Sequence, residues 1–452
     1  MRRTFFILLL LFFLNSSSVS GEERNLFFDM IASGDIDGVK EAIAAGQDVN
    51  APDDKRGTPL LYALKVQMNV VTVEGFSADI VVGGTSFQSG NPDAPSADCR
   101  MISALIEAGA DVNAPDTYGA MSLHRAVSVG PEAVEILLKA SADVDARDKI
   151  SKHTPLFYAT SLFRSIDPAK KLASTRLLLK AGADINARSD SGLTPLNFSG
   201  MLGFGYFPRA ETELVRMLIA AGADVNAEDD EKGTPLLEWA DASAGAVKLL
   251  LDAGADPNAA NSSGETPLIR ATAFGATSDS TEIVSLLLEA GAEVDARASD
   301  GTTSLWAAAS RGQAENVALL LKAGADADVR AGGLTPLHAA AGIAALESEY
   351  NKGTFEERAD RGAIYMTFPT ERKPRVDFPA AVRLLAEAGA DVDARSGRAE
   401  IAPYLATQNG RIHEAFMNKT PYDFARMLGN EEAARYLKSI GARSARTWYW
   451  PF

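Results

Sequence analysis

The sequence predicts an all-α repeat solenoid, in which about nine to ten helix-turn-helix units, caps included, are each followed by a hairpin-like finger. Three observations carry this prediction. The phrase LLLKAGADINARSDSGLTPL at 177–196 returns as LLLDAGADPNAANSSGETPL at 249–268 and as SLLLEAGAEVDARASDGTTSL at 285–305. The glycine of this phrase falls at Gly46, Gly109, Gly182, Gly222, Gly254, Gly291, Gly324, Gly389 and Gly441, with Ser141 in its place once. Its shortest spacings, Gly109 to Ser141, Gly222 to Gly254 and Gly291 to Gly324, are nearly equal. The stretch from that residue to the next Thr-Pro-Leu-like start is nearly constant, as from Gly46 to Thr58, Gly182 to Thr194 and Gly254 to Thr266. Only the last, from Gly389 to Thr420, is much longer.

Each part of the unit has a local reason. The Thr of Thr-Pro-Leu can cap a helix N-terminus, and Pro suits the first helical position, where a missing N–H costs nothing. The second helix carries one apolar stripe, as in Ile283, Leu286, Leu287 and Ala290. Glycine ends that helix, where a left-handed residue is needed. The next dozen residues are short, polar and turn-rich. The opening unit, NLFFDMIASGDIDGVKEAIAAGQDVNA, lacks Thr-Pro-Leu and reads as an N-terminal cap. The last presents Glu431, Glu432, Arg435 and Lys438 where water is met.

This pattern resembles the ankyrin repeat. Thr-Pro-Leu-His stands intact at Thr335 to His338, and variants begin at Thr58, Met121, Thr154, Thr194, Thr234, Thr266, Thr303 and Thr420. The Leu-Leu-x-x-Gly-Ala-Asp-Val-Asn half recurs, lightly varied, in nearly every unit from about residue 25 to 442. The resemblance implies L-shaped units stacked into a curved solenoid, with fingers and first helices lining a concave face where partner proteins bind. It also implies that His124 and His338, at the fourth motif position, serve internal hydrogen bonding. No unit can bury its stripe alone, so neighbours must supply the other side.

The expected organisation is a signal peptide at 1–20, a repeat solenoid at 21–442 and an aromatic tail at 443–452. Arg2 and Arg3 precede a ten-residue apolar run, Phe5 to Leu14, too short to span a bilayer, with small residues before a cleavage point near Ser20. Export is therefore expected, with a periplasmic destination. The stretch from Thr-Pro-Leu to the following glycine varies widely, short from Thr234 to Gly254 and long from Thr58 to Gly109 and from Thr335 to Gly389. Insertions therefore sit mainly in the turn between the two helices. The large ones lie near 69–98, 346–378 and 394–418. Alternation in VVTVEGF and ADIVVGG suggests a β-hairpin in the first. The second carries Tyr350, Phe355, Tyr365 and Phe368, and the third is on the finger side.

Net charge is −16, and −18 without the first 20 residues. Such a field repels phosphate backbones and favours basic proteins as partners. Cys99 is the only cysteine, so no intramolecular disulfide forms. His124, His153, His338 and His413 never pair at ligand spacing, no clustered calcium loop occurs, and no nucleophile elbow or phosphate loop is written in the chain. The sequence thus points to no cofactor, no metal, no catalysis and a monomer that binds another protein. Candidate contact residues are the variable finger tips Asp116, Tyr118, Arg147, Lys149, Arg188, Asp229, Asp230, Glu231 and Arg297, the bulky first-helix residue Trp306, and the inserted aromatics Tyr365 and Phe368. A cell-envelope scaffold or an inhibitor of a basic protein fits this reading; a glycan- or peptidoglycan-binding module is the alternative.

Overall fold

The computed structural model describes residues 26–53, 57–69, 80–82, 85–87, 99–161, 167–201, 208–273, 279–342, 377–396 and 418–444. The expected leader, most of the three insertions and the tail beyond 444 lie outside the described residues. The chain divides into two compact units, residues 1–202 with 220–223, and residues 203–219 with 224–452.

The first unit runs α1 Leu26–Ser33, α2 Ile36–Ala44, α3 Pro59–Asn69, α4 Arg100–Glu107, α5 Ser122–Val129, α6 Pro131–Lys139, α7 Pro155–Thr160, α8 Pro168–Lys180 and α9 Pro195–Met201. Odd-numbered helices stack in one layer and even-numbered helices in a second. Between the layers lies a continuous core through Ile31, Val39, Leu64, Ile102, Leu123, Leu137, Leu156 and Leu178. The second unit runs α10 Pro208–Ala220, α11 Pro235–Trp239, α12 Ala244–Asp252, α13 Pro267–Ala273, α14 Ser280–Glu289, α15 Ser304–Ser310, α16 Ala314–Lys322, α17 at 336–342, α18 Phe378–Glu387, α19 Pro421–Met427 and α20 Glu431–Ser439. There α11, α13 and α15 form one layer, and α12, α14, α16, α18 and α20 the other. This is the all-α repeat solenoid that the spacing predicts.

The local chemistry follows the repeat. Pro opens α7, α11 and α19, and the hydroxyls of Thr234, Thr303 and Thr420 accept the amides of Leu237, Trp306 and Asp423. Every ruler glycine has φ between 89° and 100°, and Ser141 is forced to the same left-handed side at 63°. After the glycine, the Asp closes a turn on the amide two residues on, as Asp111 does to Asn113 at 2.8 Å. The Asn then reaches into the following repeat. Asn50 accepts the Asp111 amide at 2.7 Å and donates to the Gly109 carbonyl at 3.1 Å. Asn226 does the same to Asp256 and Gly254, and Asn258 to Glu293 and Gly291. Asp145, Asp295 and Asp328 have no donor to offer, and accept one amide each, from Asp184, Asp326 and Asp391. The recurring acids are therefore structural.

A hairpin occurs in the first insertion, and one of its arms falls in the ADIVVGG segment. β1, Ile80–Val82, pairs antiparallel with β2, Thr85–Phe87, and VVTVEGF lies outside the described residues.

Ser141→Gly is expected to stabilise the fold by about 0.5–1 kcal/mol in chemical unfolding, because the backbone there is already left-handed. Asn258→Ala is expected to cost about 1 kcal/mol, and Asn258→Asp less, since one of two bonds survives.

Candidate functional site

The finger side of each unit is built from side chains that close turns. In the first unit, Asp116 accepts the amides of Tyr118 and Ala120 through one oxygen and holds Arg125 at 2.6 Å through the other. Asp148 accepts the Ile150 and Ser151 amides and, at 3.0 Å, the Tyr158 hydroxyl. In the second, Asp229 accepts from Glu231 and Gly233, and Asn261 from Ser263 and Glu265. Adjacent fingers are joined by backbone bonds, Lys149 N–H to Tyr118 O and Asp190 N–H to Ser151 O in one unit, Ser262 N–H to Glu231 O and Ser299 N–H to Ser263 O in the other. The fingers are thus fixed platforms.

Two of the expected contact residues therefore have carboxylates engaged inside the fold: Asp116 and Asp229 are turn-closing groups. Their constant place, five residues before the Thr-Pro-Leu-like start, was the signal in the sequence. Arg147, Lys149, Arg188, Asp230, Glu231 and Arg297 are exposed, and Tyr118 is half-buried. Tyr365 and Phe368 lie outside the described residues. Of the first-helix aromatics, Phe157, Trp239 and Trp306 are buried, while Tyr62, Tyr158 and Phe198 are half-buried.

Trp306 belongs to the framework, and its motif position says why. Counting Thr303 as the first, it occupies the fourth motif position, where His124 and His338 stand in their own repeats. His124 Nδ1 accepts the Met121 amide, so Nε2 carries the proton and donates to His153 O at 3.1 Å. His338 Nε2 likewise donates to Lys419 O at 3.0 Å, while Nδ1 meets the Thr335 hydroxyl. The Trp306 indole N–H donates to Leu334 O at 3.2 Å. In all three cases the acceptor is the residue just before the next repeat's first motif residue, Thr154, Thr420 or Thr335. An indole replaces an imidazole in the same bond, and at 5% exposure it leaves nothing for a partner.

The structure adds groups that sequence reasoning passed over. On the second unit, Arg270 stands among Glu238 at 3.2 Å, Glu265 at 3.5 Å and Asp241 at 3.8 Å. Burial pushes the Glu238 and Asp241 carboxyls up, and Arg270 opposes the shift. On the first unit, the Lys171 ammonium donates to Tyr158 O at 2.6 Å, at the C-terminal end of α7, and burial lowers it to about 8. An open depression of about 590 Å³ lies near the start of that unit, lined by Asp35, Asp37, Lys40, Arg100, Glu107 and Glu132. Among the described residues, no three His, Cys, Asp or Glu side chains gather to hold a metal ion, and no helix is long and apolar enough to cross a membrane.

Burial lowers His338 to about 4 from its ordinary 6.5. The unfolded chain takes a proton below about 6.5 while the folded imidazole stays neutral, so its full contribution is present above that pH. Stability is expected to fall as pH drops from about 6.5 to 4, by on the order of 3 kcal/mol at most. His338→Asn should flatten that slope in denaturant titrations at stepped pH. Trp306→Ala is expected to cost about 3–5 kcal/mol, and Trp306→His less, because the inter-repeat bond can re-form.

The family model for ankyrin repeats matches three copies, at residues 94–189, 208–298 and 276–347, together more than half of the chain. Among curated proteins, the chain is similar to ankyrin repeat and SOCS box protein 6 of Mus musculus, 35% identical over 22% of each chain. It is also similar to the B-cell lymphoma 3 protein homolog of Mus musculus, 32% identical over 26% of this chain and 25% of that one. A stretch of putative palmitoyltransferase ZDHHC13 of Danio rerio is 33% identical over 21% of this chain and 14% of that one. The matches span about a quarter or less of each relative's length. With the left-handed glycines, the inter-repeat carboxamide bonds and the Thr-Pro-Leu-His network all in place, the chain belongs to the ankyrin-repeat family.

Proposed function

We propose that this chain is a non-catalytic protein-interaction scaffold that binds its partner through finger tips and the adjoining first helices. One observation carries the reading. The finger turns are closed and joined by their own backbone and by Asp or Asn, so the outward side chains are the variable part of an otherwise fixed surface. Surfaces that need no ordering on binding lose less entropy to association.

The partner of the second unit is a basic protein. Glu228, Asp230 and Glu231 are exposed on one finger, and elsewhere on the unit Glu238, Asp241 and Glu265 share Arg270 as their ion-pair partner. With a chain net charge of −16, such a surface steers a cation-rich partner and sets its on-rate. The arginines and apolar run at the start of the sequence support action in the cell envelope as an exported protein. Occluding an incoming basic enzyme would use the same surface.

Mature chain immobilised against envelope extract is expected to retain a discrete basic protein at low salt and release it as salt screens the field. Asp230→Lys with Glu231→Lys should weaken that binding by about tenfold or more. Retention on peptidoglycan fragments, indifferent to salt and to those substitutions, would replace this reading with a glycan-binding module. N-terminal sequencing of the exported product should begin near Gly21; an intact leader would remove the envelope placement.

A further inference from the structure

On the first unit, exposed cations stand together at the tips of two adjoining fingers. Arg147, Lys149 and Lys152 are exposed on the third finger, and Arg188 is exposed on the fourth. The two fingers are joined, Arg147 through its guanidinium to Arg188 O at 2.6 Å, and Ser151 O by the Asp190 amide at 2.9 Å. The nearest turn carboxylate, Asp148, is buried and held by Tyr158 and two amides, while Asp190, exposed on the fourth finger, offsets part of the charge and leaves four cations against one exposed acid at the tips. Among the described residues, no carboxylate lies within ion-pair distance of Arg147, Lys149 or Lys152. In a chain of net charge −16, such a gathering is not what average composition gives.

Beside these cations lies an aromatic ledge. His153 stacks on the fully buried Phe157, with centroids 4.6 Å apart and planes 9° from parallel. Phe198 stands 4.8 Å from His153 and 5.6 Å from Phe157, and packs with Ala187, next to Arg188. His153 and Phe198 are both half-buried, so each presents part of a ring to solvent from a rigid seat. Lys152 has φ +58° in the finger position where Gly119, Gly192, Gly264 and Gly301 are left-handed elsewhere, but Lys232 on the acidic finger has φ +60° at the same position, so this backbone belongs to the turn and not to the surface.

We propose that this part of the first unit is a second docking surface, on which Arg147, Lys149, Lys152 and Arg188 take an acidic peptide segment of a partner protein while His153 and Phe198 seat one apolar anchor of that segment. The inference rests on the scaffold reading above and gives it a second partner chemistry. The cations supply steering and register, and the ledge supplies the desolvated contact that holds the complex. A long polyanion fits less well, because most of its length would lie in the negative field of the rest of the chain.

The test is fluorescence anisotropy with the full chain and a labelled peptide rich in Glu and Asp with one central Phe, beside a Lys-rich peptide of equal length. The acidic peptide should bind at low salt and weaken as ionic strength rises. Joint replacement Arg147→Glu, Lys149→Glu, Lys152→Glu and Arg188→Glu should cost tenfold or more in its affinity, with the circular dichroism spectrum unchanged. Lys149→Gln with Arg188→Gln should cost less, and changing the peptide's Phe to Gly should weaken it without altering its salt slope. Asp230→Lys with Glu231→Lys should affect only the Lys-rich peptide, so loss of one binding mode leaves the other readable. The proposal is overturned if the acidic peptide does not bind, if it binds the quadruple variant equally well, if an oligonucleotide of equal charge binds more tightly, or if the cations serve self-association that the quadruple variant abolishes.

Discussion

The hydrogen bond from one repeat's Asn or Asp to the amide just past the next repeat's left-handed glycine is the constraint on which the rest depends. The second helix ends at that glycine, and the turn that follows exposes amides that no residue of the same repeat satisfies. Asn50 completes the turn at Asp111, Asn226 the one at Asp256, and Asn258 the one at Glu293. A repeat is therefore unfinished in its polar groups as well as in its apolar stripe. Stacking serves both needs at once, which is why the phrase is repeated so closely.

That bond also explains where the chain tolerates extra residues. The interval from glycine to the next Thr-Pro-Leu-like start is nearly constant because the carboxamide, the finger turn and the fourth-position donor must each meet a neighbour in register. His124, Trp306 and His338 all donate to the residue before the following repeat's motif start. Lengthening the finger by one residue would misplace that carbonyl. The turn between the two helices lies outside that register, even where it meets a neighbour as Gly312 O does the Asp377 amide at 2.8 Å, and surface loops lengthen at small entropic cost. Insertions accumulate there for that reason.

The repeat architecture was legible in the sequence because each recurring residue has a local job that needs no tertiary knowledge. Thr caps, Pro opens, Gly turns left-handed, and even the exception at Ser141 adopts the conformation the pattern demands. The surface was less legible. Asp116 and Asp229 looked like variable acids, yet each closes a turn; only their fixed distance from the motif betrayed it. Trp306 looked like an exposed anchor because of its bulk, but its place in the motif gave it a framework bond. The Arg270 cluster draws on residues from two consecutive repeats, and no single repeat of the sequence contains it.

What remains variable once the framework is subtracted is small, and its chemistry is uneven. Positions that close turns or bridge repeats tolerate few side chains, so the outward finger residues carry most of the freedom to differ. In the second unit that freedom is used for Glu228, Asp230 and Glu231 on one finger. In the first it is used for Arg147, Lys149 and Lys152 on one finger and Arg188 on the next. Solubility alone would favour interspersed signs, since blocks of one sign repel within themselves. The strained turn position does not carry that choice, since Lys152 and Lys232 share the same left-handed backbone on fingers of opposite character. The signs of the outward side chains do, because nothing in the framework requires them, and a partner that meets them is what would keep them apart.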